Sequence, residues 1–350
     1  MDSNSYLSKD KKVESEDAGY MTIPEKQGES RIFVFNGDAD GIISQHILGL
    51  HAGAPDLLIT GWKRDIRLLR KLPDGAAGDI HVFDISLRQN LEELPGLLAR
   101  EGARVTWYDH HDPGDPPSHA RLKLHISQAP GTCTAAIVNA VCGGVYPGWA
   151  AMAAYGDNVP VTGDALLREA GIDGEDRSLL RKGGILINYN AYGEKPGDAL
   201  LRPDDVAGRM AGFASALDFC RDAGLLYSLE EQFARDGERF GGLKSLVDSE
   251  KAAAFLLPDE PWARRYGATW ANERILARPG EALAILLPRD DGSYMVSIRS
   301  ALKIGKIGAA SDLAGEFPTG GGRRLAAGIN RLSAEDLLRF LDRFLEFYGK

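Results

Sequence analysis

Residues 104–113 read RVTWYDHHDP, an apolar run shaped like a buried strand that stops abruptly in Asp109, His110 and His111. Core packing gives no reason for an acid and two imidazoles in succession. Three other segments end in the same manner: RIFVFNGDADG (31–41), DIHVFDIS (79–86) and, after a small-residue helical run, AAMAAYGDNV (150–159). Helical patterns at 41–53, 65–72 and 91–102 separate strand patterns at 31–36, 57–62, 80–86 and 104–111. Short apolar runs alternating with amphipathic segments predict βαβ units and a parallel sheet, hence an α/β fold. Ligands of open parallel sheets bind outside the carboxyl ends of the strands, where each of these polar endings falls.

At 350 residues the chain exceeds one ordinary domain. Apolar residues at 44% and charged residues at 26% suit a globular protein with a substantial core. No apolar run approaches the ~18 residues of a membrane span, and the start, MDSNSYLSKDKKVESEDAG, is too polar for a secretory signal, so a cytoplasmic protein without membrane contact is expected. Cys133, Cys142 and Cys220 follow no metal-ligand spacing and leave one thiol over in any disulfide scheme. A net charge of −9 argues against broad binding to duplex nucleic acid, but not against a small anion held by local arginines.

The domain plan drawn from these patterns is a loosely attached tail at 1–30, a metal-binding domain at 31–205, a helical connector at 206–250 and a smaller α/β domain at 251–350. Within it, 122–129 is expected as an edge strand, and 131–144 as a helix entered through Thr132 or Thr134 and stopped by Gly143-Gly144. Residues 160–205 read as irregular, with INYNAYGEKPG (187–197) as a loop. Strands at 252–258, 282–289 and 293–300, a helix at 312–317, a glycine-rich turn at 319–330 and a last amphipathic helix at 333–350 complete the plan.

In extended backbone, residues i, i+2 and i+4 share a face, so Asn36, Asp38 and Asp40 are expected side by side at the end of the first strand. Beside Asp84, His110 and Asp157 they make four carboxylates, an amide and an imidazole on one rim. Uncompensated, such carboxylates repel one another and are forced to protonate. A pair of divalent cations removes the conflict, and mostly oxygen donors with a histidine favour Mn²⁺ or Mg²⁺ over Zn²⁺, Fe²⁺ and Co²⁺. Two such ions ~3.5–4 Å apart can activate water and stabilise both oxygens of an in-line phosphoryl displacement. The plainer readings are a helix cap for Asp84, a turn for the GDN triplet at Asp157, turn formers for Asp112 and Asp115, and sheet-face positions for His81 and His125. His46, His51 and His119 carry no signal. Near the glycine turn Arg299, Lys303, Lys306, Arg323 and Arg324 outnumber Asp312 and Glu316, and consecutive glycine amides can form an anion nest, so phosphate binding is expected there.

Taken together, NGDADG, VFDIS, YDHH and YGDNV in this order resemble the DHH phosphoesterases, which are named for the triplet that stands here as Asp109-His110-His111. SIRS (297–300) and TGGGRRLAAG (319–328) resemble that family's DHHA1-type terminal domain, and the likeness spans about 31–330. The resemblance implies a parallel-sheet DHH domain joined by a helical connector to a smaller α/β DHHA1-type domain. It implies two Mn²⁺ per chain, or Mg²⁺, one held by Asn36 and Asp38, one by Asp40, His110 and Asp157, with Asp84 bridging. His111 would stand near the scissile phosphate and protonate the leaving oxygen if water does not, while Arg299, Ser300, Gly320, Gly321, Gly322 and Arg323 would hold substrate. Residue 36 is commonly histidine, or aspartate in RecJ-like exonucleases, and asparagine in some polyphosphatase-like relatives. The glycine turn usually ends in histidine where Arg323 stands. The expected activity is hydrolysis of phosphoesters, first in short oligonucleotides or single-stranded ends, as in nanoRNase-like relatives, then in dinucleotides, 3′-phosphonucleotides or polyphosphate. A nucleotide- or phosphate-binding sensor without turnover is the alternative from a different class. The partner is a phosphate-containing small molecule or short single-stranded nucleic acid, and a homodimer is compatible with all of this.

Overall fold

The computed structural model describes residues 30–193, 195–222, 224–301 and 309–349. The expected tail and both Lys303 and Lys306 therefore lie outside the described residues, apart from Ser30. In chain order the first layer comprises β1 (Arg31–Asn36), α1 (Ala39–Ala52), β2 (Leu57–Gly61), β3 (Asp79–Phe83), α2 (Leu94–Ala99), β4 (Arg104–Asp109) and β5 (Leu122–Ile126). Its sheet has the order β2-β1-β3-β4-β5, every pair parallel, with Asn36 opposite Gly61 and Phe83 opposite Tyr108. The carboxyl ends thus stand in line, which gathers the polar strand endings on one rim.

Period-two alternation sets the two faces of this sheet. Phe33, Phe35, Phe83 and Tyr108 point to one side, where they pack with helices α1, α3 (Thr134–Val141) and α4 (Pro147–Gly156). Ile32, Val34, Ile80, Val82, Val105 and Trp107 point to the other, against Leu94, Leu97 and Leu98 of α2 and against Leu68, Leu69 and Leu72. The last three belong to a segment expected as a helix at 65–72. It makes only a 3-10 turn, Leu68–Lys71, which stops at Leu72, extended before Pro73, and Arg67 and Arg70 pair with Glu92 and Glu93.

The stretch expected as irregular is largely helical: α5 (Pro160–Glu169), α6 (Gly174–Ala191) and α7 (Pro203–Met210). Gly183 and Gly184 look like helix breakers but are contact residues. A Cβ on Gly184 would meet the Met152 carbonyl oxygen at 1.9 Å, so glycine alone lets α6 lie against α4. The INYN portion is buried in α6, and the Asn190 amide ties down the following chain by donating to Leu201 O at 2.9 Å and accepting from Leu200 N and Leu201 N at 3.0 Å.

Helices α8 (Ala216–Arg221) and α9 (Leu225–Phe240) lead to a second sheet built from β6 (Ser245–Asp248), β7 (Ala252–Leu256), β8 (Ala282–Pro288), β9 (Tyr294–Arg299), β10 (Gly320–Gly322) and β11 (Ala326–Leu332). Its order is β10-β11-β9-β8-β7-β6, with β7 and β8 parallel and the other pairs antiparallel. The expected connector at 206–250 therefore ends in a strand of this sheet. The β7-to-β8 crossover is α10 (Pro261–Ala277), a helix the sequence reading passed over, and α11 (Ala310–Gly315) and α12 (Leu337–Tyr348) cover the sheet. The expected glycine-rich turn is instead the edge strand β10, with Gly320–Gly322 paired to Ala327–Ile329 and the reversal falling at 323–325.

Between the two sheets lies a buried ionic knot. Arg265 of α10 donates to Asp236 Oδ2 of α9 from Nη2 at 2.7 Å, to the Tyr189 hydroxyl of α6 at 3.1 Å and to the Asp198 carbonyl at 2.5 Å. Its neighbour Arg264 holds the Asp198 carboxylate at 2.7 and 2.8 Å. No helix among the described residues is long and apolar enough to cross a membrane.

Candidate metal centre

Strand β1 ends at Asn36, and the chain turns into α1 at Gly37, where a Cβ would lie 2.0 Å from Gly61 O. Asp38 is the N-cap of α1: its Oδ1 accepts from Asp40 N and Gly41 N, each at 3.1 Å. Asp40 sits in the first helical turn. The common extended face expected for Asn36, Asp38 and Asp40 is therefore not formed; strand end, cap and first turn bring the residues to the same rim instead. Asn36 donates from Nδ2 to Lys63 O at 3.3 Å, and its buried Oδ1 has no hydrogen-bond partner among the described residues.

Asp84 follows β3 with a φ of 55°, a left-handed conformation unusual outside glycine. The cap position of the next turn falls at Ser86, so the helix-cap reading of Asp84 does not hold. Its Oδ1 instead accepts from the Thr134 hydroxyl at 3.1 Å and lies 3.4 Å from His110 Nε2. His110 Nδ1 donates to Thr132 O at 2.9 Å, fixing the ring and leaving Nε2 toward Asp84 and, at 3.8 Å, toward Asp157 Oδ2. A ring nitrogen held by a main-chain carbonyl is the usual support of a metal-binding imidazole. His111 is tethered through Nδ1 to Asp109 Oδ1 at 2.7 Å and is the more exposed of the pair. Asp157 closes α4 and looks back across the rim.

Helix α3 is entered at Cys133, not at Thr132 or Thr134 as expected, and its cap comes from a distance. Asp40 accepts from Thr134 N at 2.7 Å and Ala135 N at 2.8 Å, so one carboxylate both caps α3 and lines the site. Burial, with the neighbouring carboxylates Asp38 and Asp40, pushes the Asp84 carboxyl well above its ordinary value. Burial and Asp40 lift Asp157 to about 6. Asp40 is raised too, mainly by burial. Burial opposes charge on His110, yet Asp84, Asp40 and Asp157 raise it to about 10. A cluster in which carboxylates resist ionising and an imidazole resists losing its proton is short of positive charge.

The donor set fits a divalent cation. Asp40, His110 and Asp157 each offer a ligand atom within 4.8 Å of the others, and Asp84, His110 and His111 form a second such triad. Two carboxylates and one imidazole oriented from behind suit Mn²⁺ or Mg²⁺.

One participant was missed in the sequence. Lys63, just past β2 on the same rim, pairs with Asp38 Oδ2, reaches Asn188 Oδ1 at 3.4 Å and lies 5.1 Å from the centre of the Tyr192 ring. Burial works against it, but Asp38 raises its pKa, and Lys63 in turn holds Asp38 below its ordinary value against burial. The signal was available, because the end of β2 stands on the same rim as the ends of β1, β3 and β4.

Lys63 and Tyr192 open onto a cleft of about 400 Å³ between the sheets, bordered across the way by Leu287, Met295 and Ser297. Met295 and Ser297 are shared with a groove that holds Arg299, Gly321 and Gly322. Arg299 is fixed by Asn272 Oδ1 at 3.2 Å and its own neighbour's carbonyl, Ile298 O, at 3.3 Å. The remaining expected substrate contacts are not gathered there. Ser300 is buried with its hydroxyl 2.9 Å from the Tyr348 hydroxyl, Gly320 packs against α11, and Arg323 is exposed in the β10–β11 reversal.

Neither a protein-family model nor a curated protein matches the sequence. Solved structures do match in shape. A DHH-domain protein described as a member of the s1p family of ribosomal proteins has a TM-score of 0.61 at 15% identity, over 91% of this chain and 86% of that one. RecJ from Thermus thermophilus, in complex with Mn²⁺, has a TM-score of 0.58 at 21% identity, over 91% of this chain but 52% of that one. A pGpG-specific phosphodiesterase of Vibrio cholerae has a TM-score of 0.52 at 12% identity, over 90% and 98%. At these identities the likeness is one of architecture: the chain has the DHH-domain fold, with a smaller second domain on a mixed sheet.

Proposed function

We propose that the chain is a metal-dependent phosphohydrolase acting on short oligonucleotides or single-stranded ends. The observation that carries this reading is that Asp40, Asp84, His110 and Asp157 converge on the sheet rim beside Asp38, whose partner Lys63 borders a cleft that shares Met295 and Ser297 with the Arg299 groove. Asp40, His110 and Asp157 would hold the cation, with Asp84 beside them. When bound, it supplies a water acidified toward neutral pH and a positive field on the phosphoryl oxygens. Arg299, partly desolvated and with its guanidinium fixed, suits bidentate contact with a phosphate, and the glycines of β10 let a ligand approach the backbone closely. His111, held through Nδ1 by Asp109 and exposed at the rim, would hand a proton from Nε2 to the departing oxygen. The apolar part of the cleft, with Tyr192 at its edge, offers a surface for a base or sugar next to the phosphate.

The test is product release with Mn²⁺ from a panel of a five-nucleotide single strand, a dinucleotide, a cyclic dinucleotide, a 3′-phosphonucleotide and polyphosphate, beside an Asp84→Ala control. Metal-dependent turnover of the short nucleic acids that vanishes in the control is expected. Silence across the panel by folded, metal-loaded protein would favour the sensor reading, which draws on the neutral Asn36 and on the Lys63 pairing of Asp38.

A further inference from the structure

Both oxygens of Asp38 have partners without any cation: its Oδ1 takes two main-chain N–H groups of α1 and its Oδ2 takes the Lys63 ammonium. The ammonium has three donors, and its surroundings suit it: the Asn188 amide oxygen at 3.4 Å and the face of Tyr192 at 5.1 Å complete its shell. Asn36, which would share a cation with Asp38, brings no charge: its Nδ2 donates to Lys63 O, and the Oδ1 left without a hydrogen-bond partner among the described residues is a neutral ligand atom only. On the other side of Asp84 the carboxylate of Asp40 also accepts two main-chain N–H groups, from Thr134 and Ala135, but no ammonium joins them. Asp40, His110 and Asp157 converge within 4.8 Å of one another, and no lysine or arginine is paired with any of the three among the described residues.

We propose that the chain holds a single divalent cation, at Asp40, His110 and Asp157 with Asp84 alongside, and that the Lys63 ammonium takes the place of a second one. This inference rests on reading the site as a metal centre, and it sets the number of ions and the identity of the fixed charge. The arithmetic suits it: Asp38, Asp40, Asp84 and Asp157 carry four negative charges, and one divalent ion with one ammonium leaves a single negative charge to be met by a proton. An ammonium at Asp38 cannot acidify a water as a second metal would. It acts as a permanent point charge beside the phosphoryl group, and chelators cannot remove it.

The experiment counts manganese on the full chain. Electron paramagnetic resonance of Mn²⁺ titrated into the protein gives the bound number and shows whether two ions are exchange-coupled. Wild type is expected to bind one ion per chain without a coupled-pair spectrum. Lys63→Met combined with Asn36→Asp, which frees Asp38 and restores an acidic ligand, is expected to bind two, the second at least tenfold tighter than in wild type, with the coupled spectrum appearing. Two tightly bound, coupled ions in wild type would overturn the inference and leave the proposed hydrolase intact. No bound ion at all would overturn the metal-centre reading and the inference with it. The wild-type count decides the matter even if the double variant fails to fold. Asp157→Asn supplies an independent check: it should abolish the single site while circular dichroism and thermal unfolding stay those of a folded chain.

Discussion

The Nδ1 of His110 donates to the main-chain oxygen of Thr132 across 2.9 Å, and this bond aims Nε2 at the carboxylates of Asp84 and Asp157. Thr132 lies just before α3, whose first amides are capped by Asp40. The helix start, the imidazole and the acids are therefore positioned by one another, and a change in the charge state of the cluster is felt by all three.

Cation uptake should release a proton. Burial opposes the His110 charge, but Asp84, Asp40 and Asp157 lift its pKa to about 10, so without metal it is protonated at pH 8 and the incoming ion must displace that proton. Mn²⁺ affinity then rises with pH, and binding heats at pH 8 differ between two buffers of unlike ionisation enthalpy. Identical heats would refute the assignment of His110 as ligand.

The same groups set the stability of the metal-free protein. A histidine pKa raised from 6.5 to about 10 gives stability fully present below 6.5 and lost as pH climbs through 10. Asp157, raised from 3.8 to about 6 by burial and Asp40, adds a loss between those values, because the folded state disfavours its ionisation. Unfolding temperature in chelator should fall across both windows, and Mn²⁺ should flatten the fall above pH 6. A profile that rises with pH in chelator would show that the cluster is not starved of positive charge.

Asp84→Asn should trade function for stability. The substitution removes a buried carboxylate crowded by Asp38 and Asp40 at a residue whose φ is 55°, a conformation that asparagine tolerates well. Metal-free protein is expected to gain about 1–3 kcal/mol while turnover drops by 100-fold or more. Chemical denaturation in chelator measures the first effect, and a less stable variant would contradict it.

Arg299→Ala should weaken substrate capture more than the chemical step. The guanidinium is held by Asn272 and Ile298 O, and burial lowers its pKa, a cost that an incoming phosphate would offset. KM is expected to rise at least tenfold with Mn²⁺ binding unchanged, consistent with about 1.4 kcal/mol or more for a charge-assisted contact. An unaltered KM for every substrate turned over would remove Arg299 from the binding surface.

Gly184→Ala tests the packing beneath the site. Its methyl would fall 1.9 Å from Met152 O, so α4 and α6 would have to part, at a cost of about 2–4 kcal/mol. Since α4 carries Asp157 at its end, Mn²⁺ affinity should fall together with stability. A variant as stable as the parent would mean that the two helices do not meet at this glycine.

The parallel sheet was legible because its strands are short, apolar and broken at even intervals, and because strand endings such as Asp84 and His110 have no use in a core. Helix α6 was not legible, since paired glycines and INYN have low helix propensity and only the contact with α4 explains them. Helix α10 went unread for a related reason: PWARRYGATWANERILA mixes aromatics and arginines because both sides are in use, Arg265 inward to Asp236 and Ala271 into the second core. Asp40 was singled out as a ligand, but its capping of α3 joins residues 94 and 95 positions apart, and no local pattern announces such a bond. Lys63 stood in plain view after β2, where a lone lysine usually means only a solvated surface.

The knot of Arg264 and Arg265 with Asp198, Asp236 and Tyr189 ties α6, α9 and α10 at the seam between the sheets. Pulling its charges apart in that setting would cost several kcal/mol. The knot therefore acts as a rivet, setting the spacing of the two walls of the cleft. With Lys63 on one wall, Met295 and Ser297 on the other and the Arg299 groove beyond them, a fixed spacing would gauge how much substrate lies between the scissile phosphate and the held one.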